Sequence, residues 1–251
     1  MPREKEMSFL DHLEEFRGRL IKCLISVVIF SVVAFFFSDK MIDFIAKPLP
    51  GVYFMGPVEA LSVRMKIAMI VGAIVSSPVI LYQLWQFIVP GLLEKEAKVV
   101  APLVFFSTFS FVIGASFAFF IVLPNMIKFL LSFGTDKMHP WIKIDDYLSF
   151  IGYTTLIFGV VFELPVVSYF LGRIGIISSA TLRKGRRYAV VAIMIVAAFV
   201  TPTPDAFNMM LLAVPLYVLY ELSIIVLLIQ EARKKKKLKA GESKKPEASS
   251  L

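Results

Sequence analysis

The sequence predicts an all-α, polytopic membrane protein, and three observations carry that prediction. Mean hydropathy is +0.78 and 58% of the 251 residues are hydrophobic, a composition outside the range of soluble domains. Apolar runs long enough to cross a hydrocarbon core of about 30 Å recur along the chain. None shows the period-two alternation of an outer-membrane barrel, so the backbone must satisfy itself within helices. Six spans are predicted, over residues 20–37, 67–89, 99–123, 147–171, 188–200 and 207 to about 229.

Residues 1–19 are rich in charge, contain no apolar h-region and are followed by no small-residue cleavage site, so the chain is expected to insert by its own spans. Ser8 and Asp11 form a candidate capping pair, and Phe9, Leu10, Leu13, Phe16 and Leu20 fall on one helical stripe. This predicts an amphipathic helix along the membrane surface that leads into span one. Spans two and three are uninterrupted apolar runs. Span four holds a carboxylate, Glu163, in FGVVFELPVV (158–167). Span five is 13 residues, about 20 Å of helix, too short for an undeformed bilayer. After TPTPD (201–205), Asp205 is the expected start of span six. Glu221 follows sixteen residues later, about 24 Å along the helix. Either the membrane thins around this hairpin or the hairpin is re-entrant and buried in protein. The basic segment from Ala232 onward lacks apolar periodicity and is expected to be a disordered tail, solvated or touching anionic lipid.

Basic residues set the orientation. Of 27 Lys and Arg, 20 fall at the N-terminus, after spans two and four, and in the tail, against 7 on the opposite side. Both termini are therefore expected in the cytoplasm. The net charge of +8 is mostly this topology signal and is not read as nucleic-acid binding. Cys23 is the only cysteine, so no intramolecular disulfide can form. His12 and His139 have no companion at ligand spacing, and no Gly-rich phosphate loop or Ser/His/Asp arrangement is present. No metal, cofactor or enzymatic chemistry is expected. Trp85 and Trp141 fall near predicted membrane boundaries, where aromatic belts place them.

The charges that remain are candidate functional residues. An ionised carboxylate at the depth of Glu163 costs roughly 2.5 to 3.5 kcal/mol, so it needs a cavity or a partner. Pro165 leaves the Val161 carbonyl without its helical donor and should bend span four beside that carboxylate. A wet concave site and a protonated Glu bonded to a neighbouring helix both fit. On the cytoplasmic side, Asp11, Glu14 and Glu15 stand in DHLEEFRGRL, and Glu94 and Glu96 in PGLLEKEAK. Glu15 and Arg19 are spaced to pair at i, i+4, a purely structural use of that charge.

The motifs FLDHLEEFRGRLI (9–21), KPL (47–49), GPVEALSVRMK (56–66), SPVILYQLWQFIVPGLLEKEAK (77–98), FGVVFELPVV (158–167), LRKGRRY (182–188) and TPTPDAFNMMLLAVPLYVLYELS (201–223) resemble TatC, the multispanning core subunit of the twin-arginine protein translocase. They run in family order from near residue 9 to near residue 229. The resemblance implies a concave, glove-shaped bundle in the cytoplasmic (inner) membrane whose last two helices are short. It implies cytoplasmic binding of signal peptides bearing consecutive arginines, assembly with single-span TatA and TatB subunits, and self-association. By the same resemblance Glu15 and Arg17, with Glu96 and its neighbour Glu94, are the signal-peptide residues. Glu163 is then the membrane-embedded acid, and Pro48, Pro165, Asp205, Met209 and Glu221 are structural or partner contacts. Two positions depart from the family pattern: Phe16, where Leu is commoner, and Met209, where a Gln near the start of the last span would offer a polar contact.

Two other classes are weighed against this reading. A secondary transporter would use Glu163 as a proton relay, but such folds show internal repeats, and spans one to three do not repeat in four to six. A passive scaffold would recognise nothing. Binding of a twin-arginine peptide separates a receptor from a scaffold, and proton-flux measurements separate it from a transporter.

Overall fold

The computed structural model describes residues 9–47, 49, 51–92, 100–134, 141–201 and 205–242. They form two compact units, Met1–Val160 and Val161–Leu251. Secondary structure in both is helical, apart from one isolated bridge between Tyr53 and Lys143.

In the first unit, α1 (Phe9–Phe35) is a single continuous helix. The expected surface helix and the first span are therefore one element, since residues 9–35 contain no proline and a lone glycine, Gly18, is too weak a breaker to interrupt them. A short helix α2 (Ser38–Ala46) follows. The second predicted span is two helices, α3 (Pro57–Val75) and α4 (Ser77–Leu92), bent by 51°. Pro78 causes the break: it offers no N–H to the Ile74 carbonyl and disfavours helical backbone at Ser77. The Ser76 carbonyl instead accepts from both Val79 and Ile80, each at 3.0 Å. Pro57 opens α3 at its first turn, where a missing N–H costs nothing.

The third span begins as α5 (Val100–Phe117), widens into a π-helical turn at Ala118–Val122 and continues as α6 (Leu123–Leu131). Pro124 withholds a donor from the Phe120 carbonyl, and the side-chain amide of Asn125 donates to Ile121 O at 2.6 Å. The unit closes with α7 (Ile144–Val161). Its core lies between α3 and α7, where Val63 and Ile67 pack with Ile144 and Leu148, and between α6 and α7, where Leu123 and Ile127 pack with Tyr147 and Ile151. Trp85, expected in an aromatic belt, does not face outward. It is buried, and its indole N–H donates to Ser107 Oγ on α5 at 2.7 Å. Counting residues from a span boundary gives depth but not the face a side chain takes. Trp141 is exposed and stacks on Tyr53, ring centroids 4.7 Å apart.

The second unit holds α8 (Leu164–Arg173), α9 (Ser179–Val200) and α10 (Ala206–Glu242). Gly175, with φ of +84°, ends α8 in a left-handed turn that L side chains rarely adopt. Ser178 caps α9 by accepting from Thr181 N at 3.2 Å. Glu231 of α10 reaches the same helix end, accepting from Ser179 N at 2.8 Å and Ser179 Oγ at 2.7 Å.

The basic segment from Ala232, expected to lack regular structure, continues α10 to Glu242. Alanine, lysine, arginine and leucine are good helix formers, and no glycine appears before Gly241. At 37 residues α10 is long as a helix, and only its apolar stretch before Glu221 is short.

Among the described residues, four helical segments are long and apolar enough to cross a membrane: His12–Phe35, Val100–Leu131, Ile144–Arg173 and Ala206–Lys236. The bent pair α3 and α4 makes five if it counts as one. Helix α9 does not reach that standard, because four of its first nine residues, Arg183, Lys184, Arg186 and Arg187, are basic.

Candidate functional site

Side chains of α1 and α4 converge toward the N-terminal end of α1. His12, Glu15, Phe16 and Arg19 recur at helical spacing, so they share one face of α1. Arg19 Nε donates to Glu15 Oε1 at 3.0 Å, and one terminal nitrogen makes a closer contact to the same oxygen. The other terminal nitrogen donates to Gln86 Oε1 at 2.8 Å and reaches Gln83 Oε1 at 3.4 Å. The Glu15–Arg19 pair expected from spacing is thus present, and it also ties α1 to α4. His12 stacks on Phe87 with ring centroids 4.5 Å apart, Phe16 tilts against the same ring at 5.5 Å, and His12 Nδ1 lies 4.0 Å from Glu15 Oε2. The Glu15 side chain retains 27% of its accessibility, so the carboxylate can be reached from outside the seam.

Arg17 is exposed and sits about 200° around α1 from Glu15, so the structure does not bring these two expected residues together. Glu94, Glu96 and Pro48 lie outside the described residues. The segment that carries Glu94 and Glu96 leaves directly from the end of α4 at Leu92.

Glu163 lies where span four breaks. Helix α7 ends at Val161, Phe162 and Glu163 form a turn, and α8 starts at Leu164 with Pro165 in its first turn. This is the interruption expected from the missing Pro165 N–H. The Glu163 side chain is buried, and its backbone carbonyl accepts from Val167 N at 2.8 Å.

Asp205 is the cap expected of it: Oδ1 accepts from Asn208 N at 2.8 Å and Oδ2 from the Asn208 side-chain amide at 2.8 Å. Met209 is half-buried beside the fully buried Asn208. Glu221 does not stand alone in an apolar helix, since it accepts from Arg186 of α9 at 2.7 Å and from Tyr217 Oη at 3.0 Å. Tyr220 Oη donates to Leu182 O at 2.6 Å across the same two helices.

The sequence profile of the Sec-independent protein translocase protein (TatC) family matches residues 11–215. The chain belongs to the TatC family. The TatC of Carboxydothermus hydrogenoformans is 40% identical over 227 residues, covering 89% of this chain and 93% of that protein. The TatC of Desulforapulum autotrophicum is 39% identical over 233 residues (90% and 86%), and that of Aquifex aeolicus 37% over 242 residues (93% and 100%). A crystal structure described as the twin-arginine translocase receptor TatC superposes with a TM-score of 0.78 at 38% identity, covering 87% of this chain and 98% of that one. A second crystal structure of that receptor, in the detergent DDM, gives 0.79 at the same identity, with coverage of 86% and 99%. The all-α, multi-pass membrane architecture expected from the sequence is the TatC fold.

Sequence reasoning missed the α4 half of the seam. Gln83 and Gln86 are polar positions three apart in the apolar run LYQLWQFIV, which places both on one helix face, and that was the available signal. It also missed Lys66 of α3, which pairs with Asp145 and donates to Ser149 Oγ at 2.7 Å on α7. Nothing local in the sequence links positions so far apart along the chain.

Proposed function

We propose that this TatC protein is the signal-peptide receptor of the translocase, and that Glu15 together with the acidic segment after α4 receives the consecutive arginines. As a TatC family member it is a component of Sec-independent protein translocation. The observation that supports the receptor reading is the α1–α4 seam, where Glu15 is fixed through Arg19 to Gln86 on the helix that leads into Glu94 and Glu96. Two adjacent guanidiniums on an extended peptide diverge to opposite sides, so they need carboxylates from separate elements. Carboxylates accept arginine as a fork and discriminate against the point charge of lysine. Arg17 belongs to the same N-terminal signal-peptide region by the family match, although it is exposed on the far side of α1 from Glu15.

In this reading both termini and the 93–99 segment face the cytoplasm, in keeping with the bias of basic residues. TatA and TatB, as single-span partners, meet the membrane-facing surfaces of the chain, with Pro48, Asp205 and Met209 on the outer side. Glu163, buried at a helix break, serves the transport step or partner docking rather than peptide capture. A twin-arginine signal peptide with a photoreactive residue beside its arginine pair should crosslink to positions 15 and 96 and not to outside positions such as 141. Efficient capture only at outside positions, or labelling of position 96 by an impermeant reagent applied to intact cells, would overturn the proposal.

A further inference from the structure

The guanidinium bound at the seam belongs to the chain itself. Arg19 directs two N–H groups at a single oxygen of Glu15, and its other terminal nitrogen at Gln86 and Gln83. A guanidinium has five donors in a rigid plane, and its strongest contact with a carboxylate engages both oxygens side by side. Glu15 Oε1 is occupied by Arg19, and Oε2 lies beside His12. An incoming guanidinium can adopt the forked arrangement only if Arg19 releases Oε1. The two glutamine carbonyls on α4 are neutral acceptors that stay with Arg19 when it does.

We infer that Arg19 is an internal competitor for Glu15, seated where a peptide arginine must bind, and that this competition weakens arginine-pair capture and keeps it readily reversible. The inference rests on Glu15 being a receptor carboxylate, as proposed above. An arginine that displaces Arg19 restores the two N–H contacts that Oε1 loses, and Arg19 keeps its glutamine partners, so the exchange is nearly balanced. A lysine makes a single charge-assisted contact, for which Oε2 serves without displacing Arg19. Removing the competitor should therefore help arginine more than lysine. Gln83 and Gln86 have a role in this exchange that differs from simple helix packing: they hold the displaced guanidinium.

The test measures equilibrium binding of two synthetic signal peptides, one with an arginine pair and one with a lysine pair, to the full chain in detergent. Arg19→Met keeps the apolar stem and removes the competitor. It should tighten arginine-pair binding by roughly three- to tenfold and lysine-pair binding by less, so that the preference widens. Gln86→Leu should weaken arginine-pair binding by about threefold, an effect that disappears in the Arg19→Met background. Arg19→Gln serves in place of Arg19→Met if that variant does not purify as a folded protein. A purely structural Arg19 predicts that both peptides weaken in parallel, and a preference that stays unchanged overturns the inference. Glu15→Gln separates the two levels. Unchanged arginine-pair binding in that variant defeats the receptor assignment itself, whereas loss of binding there with an unchanged preference in Arg19→Met defeats only the competitor.

Discussion

Alanine at Gly72 and alanine at Gly18 are the same chemical change in two helices of this TatC protein, and they should move its stability in opposite directions. A Cβ at residue 72 would lie 2.6 Å from Ser31 N and 2.8 Å from Ser31 Cα, whereas a Cβ at residue 18 meets nothing within 4 Å. Ser31 Oγ also crowds the site, but these two obstructing atoms are backbone, so no rotamer change relieves the overlap, and α1 and α3 must part by roughly 0.6 to 0.8 Å to restore ordinary contact. Overpacking of this kind costs about 1 to 3 kcal/mol. Replacing a mid-helix glycine by alanine returns roughly 0.8 to 1 kcal/mol at either site. Gly18→Ala should then stabilise by close to that amount, and Gly72→Ala should be destabilised by about 1 to 3 kcal/mol relative to it. For a chain of this size that separates the two melting temperatures by several degrees. The consequence reaches the seam, because Glu15 lies on the same rigid helix as Ser31, about 24 Å away. The assay is thermal unfolding of both variants in one detergent, with the labelling rate of Cys23 on α1 as a second readout. Equal shifts of the same sign in the two variants would refute the close α1–α3 crossing.

Three further outcomes are expected. Ser107→Ala removes the acceptor of the buried Trp85 indole and should destabilise by about 1 to 2 kcal/mol, seen in thermal unfolding and in the emission of a Trp141→Phe background that isolates Trp85. Asp205→Ala strips the cap of α10 and one partner of the buried Asn208, costing about 1 to 2 kcal/mol, while Asp205→Asn, which can still cap, should cost less in the same melt. Glu163→Ala should preserve crosslinking of a twin-arginine peptide yet impair cargo export, and Glu163→Gln should be milder because an amide still hydrogen-bonds; full export by the alanine variant would leave Glu163 a helix contact.

Local chemistry was legible in the sequence and tertiary pairing was not. The break at Pro165 follows from one missing N–H, the cap at Asp205 from one side chain beside its own helix, and the Glu15–Arg19 pair from i, i+4 spacing. The break between α3 and α4 depends equally on a proline, Pro78, but counting an apolar run is blind to it because proline does not lower the hydropathy enough to end the run. Trp85, by contrast, required knowledge of which face of α4 meets α5. The partner of Glu221 is Arg186, on the preceding helix, and only the packing of α9 against α10 brings them together. The extension of α10 to Glu242 runs against a composition rule: a lysine-rich segment reads as disordered on charge, yet its residues up to Ala240 favour helix once α10 has been nucleated by the buried turns before it.

The central claim, that Glu15 and the segment after α4 form the twin-arginine receptor site, is tested most directly by the affinity of an arginine-pair signal peptide for wild type, Glu15→Gln, Glu96→Gln and the double variant. Each charge-assisted contact is worth about 1.5 to 3 kcal/mol, so each single variant should lose roughly ten- to a hundredfold in affinity, with insertion into the membrane unchanged. The double variant should lose more than either. Binding by the double variant at wild-type affinity would contradict the account.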